Sequence, residues 1–277
     1  MKKTIFALIY DFDKTLATQD MQNYEFIPSL GMTPEEFWNK TTEFGSKEKV
    51  ESILSYMYMM IACAKEKNIP LTKKYLNDCG KNIKFYPGVD TWFKRINEYG
   101  KSKGIKVEHY LVSSGNLEII QGSPIYKKFK RCFGCEFLFD EKTKEAYWPK
   151  VAINYTQKTQ YIFRISKGVY DQTDDENVNK KTTNRRVRYE NMVYIGDGMT
   201  DIPSMVLINQ QGGSTIAIYK DENNKTLQTL LNDKRCNFVF EANYKENSQL
   251  EKTVKRLIDK AAINAELQSK DKKYIPG

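Results

Sequence analysis

Ile5-Phe-Ala-Leu-Ile-Tyr-Asp-Phe-Asp-Lys-Thr-Leu16 is the stretch from which the fold can be read. Its first six residues are apolar without the alternation of a half-exposed strand, the pattern of a strand covered on both faces. Asp11 and Asp13 follow at once. A buried strand that delivers carboxylates at its carboxyl end suits an open parallel sheet, where ligands bind in the crevice beyond the strand ends.

The same texture returns downstream. Residues 107–112 read as a strand that stops at Ser113-Ser-Gly115, and residues 192–195 as another that stops at Gly196-Asp-Gly-Met-Thr-Asp201. Further strands are expected at 214–219 and 237–240, and a hairpin over 136–139 and 147–153. Between the first strand and the rest the periodicity is helical. Thr33-Pro-Glu-Glu36 opens one helix with a capping residue, a proline and two acids. Residues 48–67 form a second, with Ile53, Leu54, Met57, Met60, Ile61 and Ala64 as a core stripe, and 72–79 a third, closed by Gly80. Tyr86-Pro-Gly-Val89 turns into a helix at 90–99. Helices are also expected at 119–130 (broken at Gly122-Ser-Pro124), 157–165 and 249–268, and a loop at 177–184. Strands alternating with helices predict an α/β fold: a doubly wound, mostly parallel sheet with an inserted α-helical cap. Residues 1–16 and 86–277 would form the core and 17–85 the cap.

Composition narrows the function classes. At 40% hydrophobic and 13% aromatic, 277 residues can build a real core. The opening apolar run is too short for a signal peptide, and the most apolar helical stretch, 53–64, is too short to span a bilayer. Cys63, Cys79, Cys132, Cys135 and Cys236 are an odd number spread along the chain, which suits reduced thiols and a cytoplasmic location. Cys132 and Cys135 have zinc-knuckle spacing but no second pair follows, so ordinary thiols are expected. The single histidine, His109, excludes histidine-rich metal sites and is expected to be structural, at the edge of a strand. The net charge of +9 comes from lysines that mostly lie beside acids or asparagines. Only Arg185-Arg-Val-Arg188 is a cluster, read as a solvated approach to the next strand, and a nucleic-acid partner is disfavoured.

The chemistry must therefore come from carboxylates, hydroxyls and lysines. Asp11, Asp13 and Asp197 at neighbouring strand ends would concentrate negative charge, which a hard, oxygen-ligated cation relieves; Mg2+ suits because it takes few carboxylates and accepts a phosphate oxygen. Ser113 offers a hydroxyl in a small-residue loop with Ser114 and Gly115, and Lys158, just before a helix, a fixed positive charge. A carboxylate nucleophile would divide a slow phosphate-ester hydrolysis into two displacements, with a second acid shuttling the proton.

Asp11-Phe-Asp-Lys-Thr-Leu16, Leu111-Val-Ser-Ser-Gly115, a lysine opening a helix, and Gly196-Asp-Gly-Met-Thr-Asp201 together resemble the four ordered motifs of the haloacid dehalogenase superfamily. The position of the helical block is similar to that in its phosphoserine phosphatase-like branch. The resemblance implies Asp11 as nucleophile and metal ligand, and Asp13 as general acid/base lending its backbone carbonyl to the metal. It implies Asp197 as a further ligand, supported by Asp201 and Gly196. Ser113 would bind the phosphoryl group, with Ser114 and Gly115 beside it. Lys158, or alternatively Lys167, would balance charge, and Thr15 would stabilise the first loop. The expected function is a Mg2+-dependent phosphatase acting on a small phosphorylated metabolite. Nucleic-acid ends as substrate, a phosphomutase, or a non-catalytic basic nucleic-acid-binding protein are the alternatives. Gln22, Glu25, Phe26, Trp38 and Met57 are open to two readings, as pocket lining or as cap core and surface.

Overall fold

The computed structural model describes residues 3–220, 233 and 235–271. Its sheet contains β1 (Ile5–Tyr10), β2 (Lys106–Asn116), β3 (Arg131–Phe139), β4 (Ala146–Val151), β5 (Met192–Gly196), β6 (Ser214–Tyr219) and β7 (Phe238–Glu241). They lie in the order β4-β3-β2-β1-β5-β6-β7, parallel throughout except for the antiparallel β3–β4 hairpin. Every residue of β1 is buried, as its unbroken apolar run requires. The order reverses at β1: β2 lies on one side of it and β5 on the other. Helices cover both faces, so the core residues of the central strands are shielded above and below.

Between β1 and β2 the chain is helical: α1 (Phe26–Ser29), α2 (Pro34–Glu48), α3 (Ser52–Glu66), α4 (Lys73–Cys79), then α5 (Val89–Ser102) against β2. Thr33 caps α2 in a full capping box, its hydroxyl accepting from the Glu36 amide while the Glu36 carboxylate accepts from the Thr33 amide at 2.7 Å. The two ends of this block are stitched together: Tyr86 N donates to Leu16 O at 2.9 Å, Thr18 N donates to Lys84 O at 3.0 Å, and Ala17 pairs with Phe85. After β2 come α6 (Leu117–Gly122), α7 (Gln157–Lys167), α8 (Asp175–Asn179), α9 (Ile202–Gln210) and α10 (Gln249–Asp271).

Several expectations need correction. The helix expected over 48–67 begins only at Ser52, because Lys49 adopts a left-handed conformation (φ 58°) and Glu51 caps the next helix with its carboxylate on Ile53 N and Leu54 N. The helix expected over 119–130 is one short helix and a separate 3-10 turn at Tyr126–Lys128. β2 runs on through Ser113, Ser114 and Gly115, and β3 starts at Arg131, so Cys132 and Cys135 lie on a strand. The expected loop 177–184 holds the end of α8. His109 is structural as expected but not at an edge: it is buried in β2, next to the central strand, with Nδ1 3.0 Å from the Tyr10 hydroxyl and Nε2 3.2 Å from Asn97 Oδ1. Burial lowers its pKa to about 3, so it is a neutral packing group. The arginine cluster is not merely solvated. Arg186 makes a two-pronged pair with the buried Glu108 at 2.7 and 2.8 Å, and Arg185 stacks over Tyr189.

Candidate active site

β1 ends at Tyr10, and its ladder continues one residue further, Asp11 N donating to Ile195 O at 2.9 Å. β5 ends at Gly196, so Asp197 emerges beside Asp11, while β2 brings Ser113 up on the other side. All three stand at the carboxyl ends of adjacent parallel strands, where the strand order reverses and the sheet leaves a crevice.

Lys158 enters from the first turn of α7 and is completely buried. Its Nζ donates to Asp11 Oδ1 at 2.9 Å and to Asp201 Oδ1 at 2.7 Å. Asp201, in the 3-10 turn that starts α9, is itself fully buried; the Tyr194 hydroxyl donates to its Oδ1 at 2.7 Å and Gly198 N to its Oδ2 at 3.2 Å. Gly196 permits this packing, because a Cβ there would collide with the Asp201 carboxylate. The Thr15 hydroxyl reaches Asp197 Oδ1 at 3.4 Å and its carbonyl accepts from the Tyr244 hydroxyl at 2.8 Å, which ties the first loop to the second.

One carboxylate oxygen from each of Asp11, Asp197 and Asp201 lies within 4.8 Å of the others. The cost of that crowding shows in the protonation equilibria. Burial raises the pKa of Asp11 to about 6, against the pull of Lys158. Burial, then the charges of Asp11 and Asp201, raise Asp197 well above the carboxylate range. For Lys158 burial alone would favour the neutral amine, but Asp11 and Asp201 outweigh it and hold the ammonium form firmly. Three carboxylates against one ammonium leave an excess of two negative charges among all-oxygen donors. That donor set fits a hard divalent cation.

Asp13 is turned away from this group. Its Oδ1 accepts from Met21 N at 2.7 Å, and burial, then Asp20 and Asp11, raise its pKa well above the usual value. Ser113 is 1% exposed and its Oγ accepts from Gly115 N at 3.0 Å. Gly115 lies flush against Met21, where a side chain would strike the Met21 methyl and come within 2.9 Å of Asp13 Oδ2. The Ser114 carbonyl accepts from the Tyr56 hydroxyl at 2.7 Å, and its own hydroxyl is buried without a partner. Lys167, the rival lysine, sits at the far end of α7 with its Nζ on the carbonyls of Val178 and Lys180.

Of the helical-block candidates, Phe26 and Met57 are packed interior residues and Trp38 donates to Asn23 Oδ1. Glu25 is exposed and accepts from Asn82. Gln22 alone is a buried polar group next to the site, its Nε2 donating to Asn116 Oδ1 at 3.1 Å. Sequence reasoning missed Tyr194, Asp20 and Asn116. Tyr194 lies inside an apolar strand and reads as core, since nothing but its hydroxyl distinguishes it from phenylalanine. Asp20 acts on Asp13 across the loop while paired with Lys14 at 2.8 Å.

No protein-family model matches the chain. It is 28% identical over 275 residues to an uncharacterized protein of Borreliella burgdorferi, a match covering 90% of this chain and 95% of that one. Among solved structures it resembles a HAD family hydrolase from Salmonella enterica serovar Typhi (TM-score 0.57, 17% identity, 86% of this chain and 68% of that chain). It also resembles a probable phosphoserine phosphatase from Vibrio cholerae (TM-score 0.57, 12% identity, 96% and 67%) and a phosphoserine phosphatase in a phospho-aspartyl intermediate analogue form (TM-score 0.52, 17% identity, 86% and 94%). The seven-stranded sheet with helices on both sides is thus the fold of HAD family hydrolases and phosphoserine phosphatases.

Proposed function

We propose that this chain is a Mg2+-dependent phosphatase that hydrolyses a small phosphorylated metabolite through a phosphoryl group carried on Asp11. The observation that carries this reading is the placement of Asp11, Asp197 and Asp201 around the buried ammonium of Lys158, at the switch point of the sheet. A reactive carboxylate, a fixed positive charge and surplus oxygen donors for a dication are what phosphoryl transfer needs in one place. Asp11, Asp197 and the backbone carbonyl of Asp13 would hold the ion. Asp201 has its oxygens engaged by Lys158, Tyr194 and Gly198, so it serves to orient Lys158. When bound, Mg2+ supplies positive charge to the non-bridging phosphoryl oxygens.

Asp11 attacks phosphorus in line; its Oδ–P bond forms as the bond to the leaving oxygen breaks. Asp13, whose raised pKa keeps its proton, passes that proton to the leaving alkoxide. Asp13, now a carboxylate, then takes a proton from the water that attacks the phosphorylated Asp11, freeing phosphate and restoring both groups. Ser113 and the adjoining amides would receive the phosphoryl oxygens, and Lys158 would balance the charge that develops on them.

Residues 17–85 would act as a cap that closes over a small substrate. What supports this is the stitched neck at Leu16–Tyr86 and Thr18–Lys84, together with Met21 and Tyr56 resting on the site's own loops. Five free thiols support a cytoplasmic location, and among the described residues no helix is long and apolar enough to cross a membrane. Asp11→Asn is expected to abolish release of nitrophenol from p-nitrophenyl phosphate while leaving the circular dichroism spectrum and melting temperature close to wild type. Undiminished turnover by a folded variant would overturn the covalent route. A panel of phosphorylated metabolites, with this variant as blank, identifies the substrate.

A further inference from the structure

A second charged cavity lies at the opposite end of the sheet. It has a volume of about 390 Å³ and is formed where β1 begins, where α7 ends and just before β5. Lys3, Lys167, Arg185, Arg186 and Arg188 line it, with Asn191 among them. β1 and β5 run parallel, so the cavity and the aspartate group are separated by a strand's length, ~20 Å for six residues.

The charge there is not neutralised. Arg186 is matched by Glu108, and Arg188 lies 3.3 Å from Glu190. Among the described residues Lys3, Lys167 and Arg185 form no ion pair. Lys167 is held by two backbone carbonyls, and Arg185 by Ser166 Oγ at 3.1 Å and the face of Tyr189. Three cations that line the concavity therefore have no carboxylate partner among the described residues. Asn191 also lines the cavity. It is only 6% exposed; its amide oxygen is buried without a partner, whereas its amide NH2 is not buried and makes no hydrogen bond among the described residues. That accessible amide is free to donate to a bound group. We propose that this cavity binds an anion carrying two or more phosphate groups. Its size suits such a ligand, and an arginine fork with an amide donor recognises phosphate oxygens directionally.

The proposal stands independently of the phosphatase reading. The test is titration calorimetry of the full chain with sodium tripolyphosphate, in chelator and at low salt. One binding event is expected, weakening as salt rises. Asn191→Asp, which sets a carboxylate against the anion, and Arg185→Ala should each weaken it by roughly tenfold or more. The exposed Arg188→Ala supplies a further variant in case Asn191→Asp does not fold. Lys158→Met should leave the affinity unchanged. Phosphatase turnover should be the same in wild type and Arg188→Ala, so that the two readings fail separately. Three results would overturn the site: no binding at millimolar tripolyphosphate, binding indifferent to all three cavity variants, or binding lost in folded Lys158→Met. Capture of a single-stranded oligonucleotide by the same residues, with none of tripolyphosphate, would also overturn it in favour of a nucleic-acid surface.

Discussion

Asp13 and Asp11 differ by two positions in sequence and by their whole environment in space. Asp11 is locked to Lys158, whereas Asp13 faces Met21 and feels the charge of Asp20 after the dominant effect of burial. The two carboxyls therefore divide the work: one is held as a nucleophile, the other keeps a proton to give. Asp13→Asn separates the half-reactions. With p-nitrophenyl phosphate, whose leaving group needs little protonation, this variant should release about one nitrophenolate per protein in a burst and then stall, because no base remains to activate water. With an alkyl phosphate the first step itself should slow by roughly 10²–10⁴-fold. Multiple turnover at the wild-type rate on both substrates would remove Asp13 from the chemistry. The lysine shows what spacing cannot decide. Lys158 and Lys167 open and close the same helix, and only the crossing of α7 over the sheet puts one of them on Asp11 and the other at the opposite end.

At the scale of elements, the strands were the legible part of the chain, because burial on both faces leaves an unbroken apolar run that ends in polar loops. β1 and β6 have the limits their sequences predict. The acidic loops after β1 and β5 were legible for the same reason. What could not be read depends on pairing at long range. Lys49 breaks a helix through its backbone conformation, and the small residues after Val112 stay extended as an irregularity against β3, with pairing resumed at Asn116 and the Ser114 carbonyl taken by the Tyr56 hydroxyl and Cys135 Sγ. Arg186 was misjudged likewise, since Glu108 lies 78 positions away. That pair makes a measurable contribution. Burial would raise the Glu108 pKa, but Arg186, Tyr110 and Lys106 outweigh it and hold it at about 2. An acid lowered in the folded state adds stability above its unfolded pKa and loses it as the pH falls through the folded value. Glu108 should therefore contribute roughly 3 kcal/mol at neutral pH. Denaturant unfolding should show Glu108→Gln less stable by about that amount at pH 7, with the gap falling to less than half at pH 3. A gap that does not shrink with acid would deny the pair this role.

For the molecule as a whole, the aspartate group is an expense in stability that an ion would offset. Asp11, raised to about 6 chiefly by burial, and Asp197, raised well above the carboxylate range by burial and then by Asp11 and Asp201, are both harder to ionise folded than unfolded. For an acid with a raised folded pKa the sign is opposite to that of Glu108: ionisation destabilises the fold above the unfolded pKa, and protonation relieves it. Metal-free protein should therefore gain stability as the pH is lowered from 8 towards 5, a window separate from the acid loss of the Glu108 pair below it. Mg2+ at neutral pH should raise the melting temperature by mass action, and with the ion bound the pH dependence between 8 and 5 should flatten. Asp197→Asn removes one of three crowded charges, so without metal it should melt higher than wild type. The same change should abolish both the Mg2+-induced rise and turnover. Differential scanning calorimetry of the two proteins, with chelator and with Mg2+, distinguishes this from ordinary core packing: a buried aspartate that merely fills space would leave the variant less stable without metal and still responsive to it. The opposed effects of one substitution on metal-free stability and on the Mg2+ response follow from a single arrangement, in which Lys158 neutralises one of the three carboxylates and leaves the charge of the other two to be met by a dication.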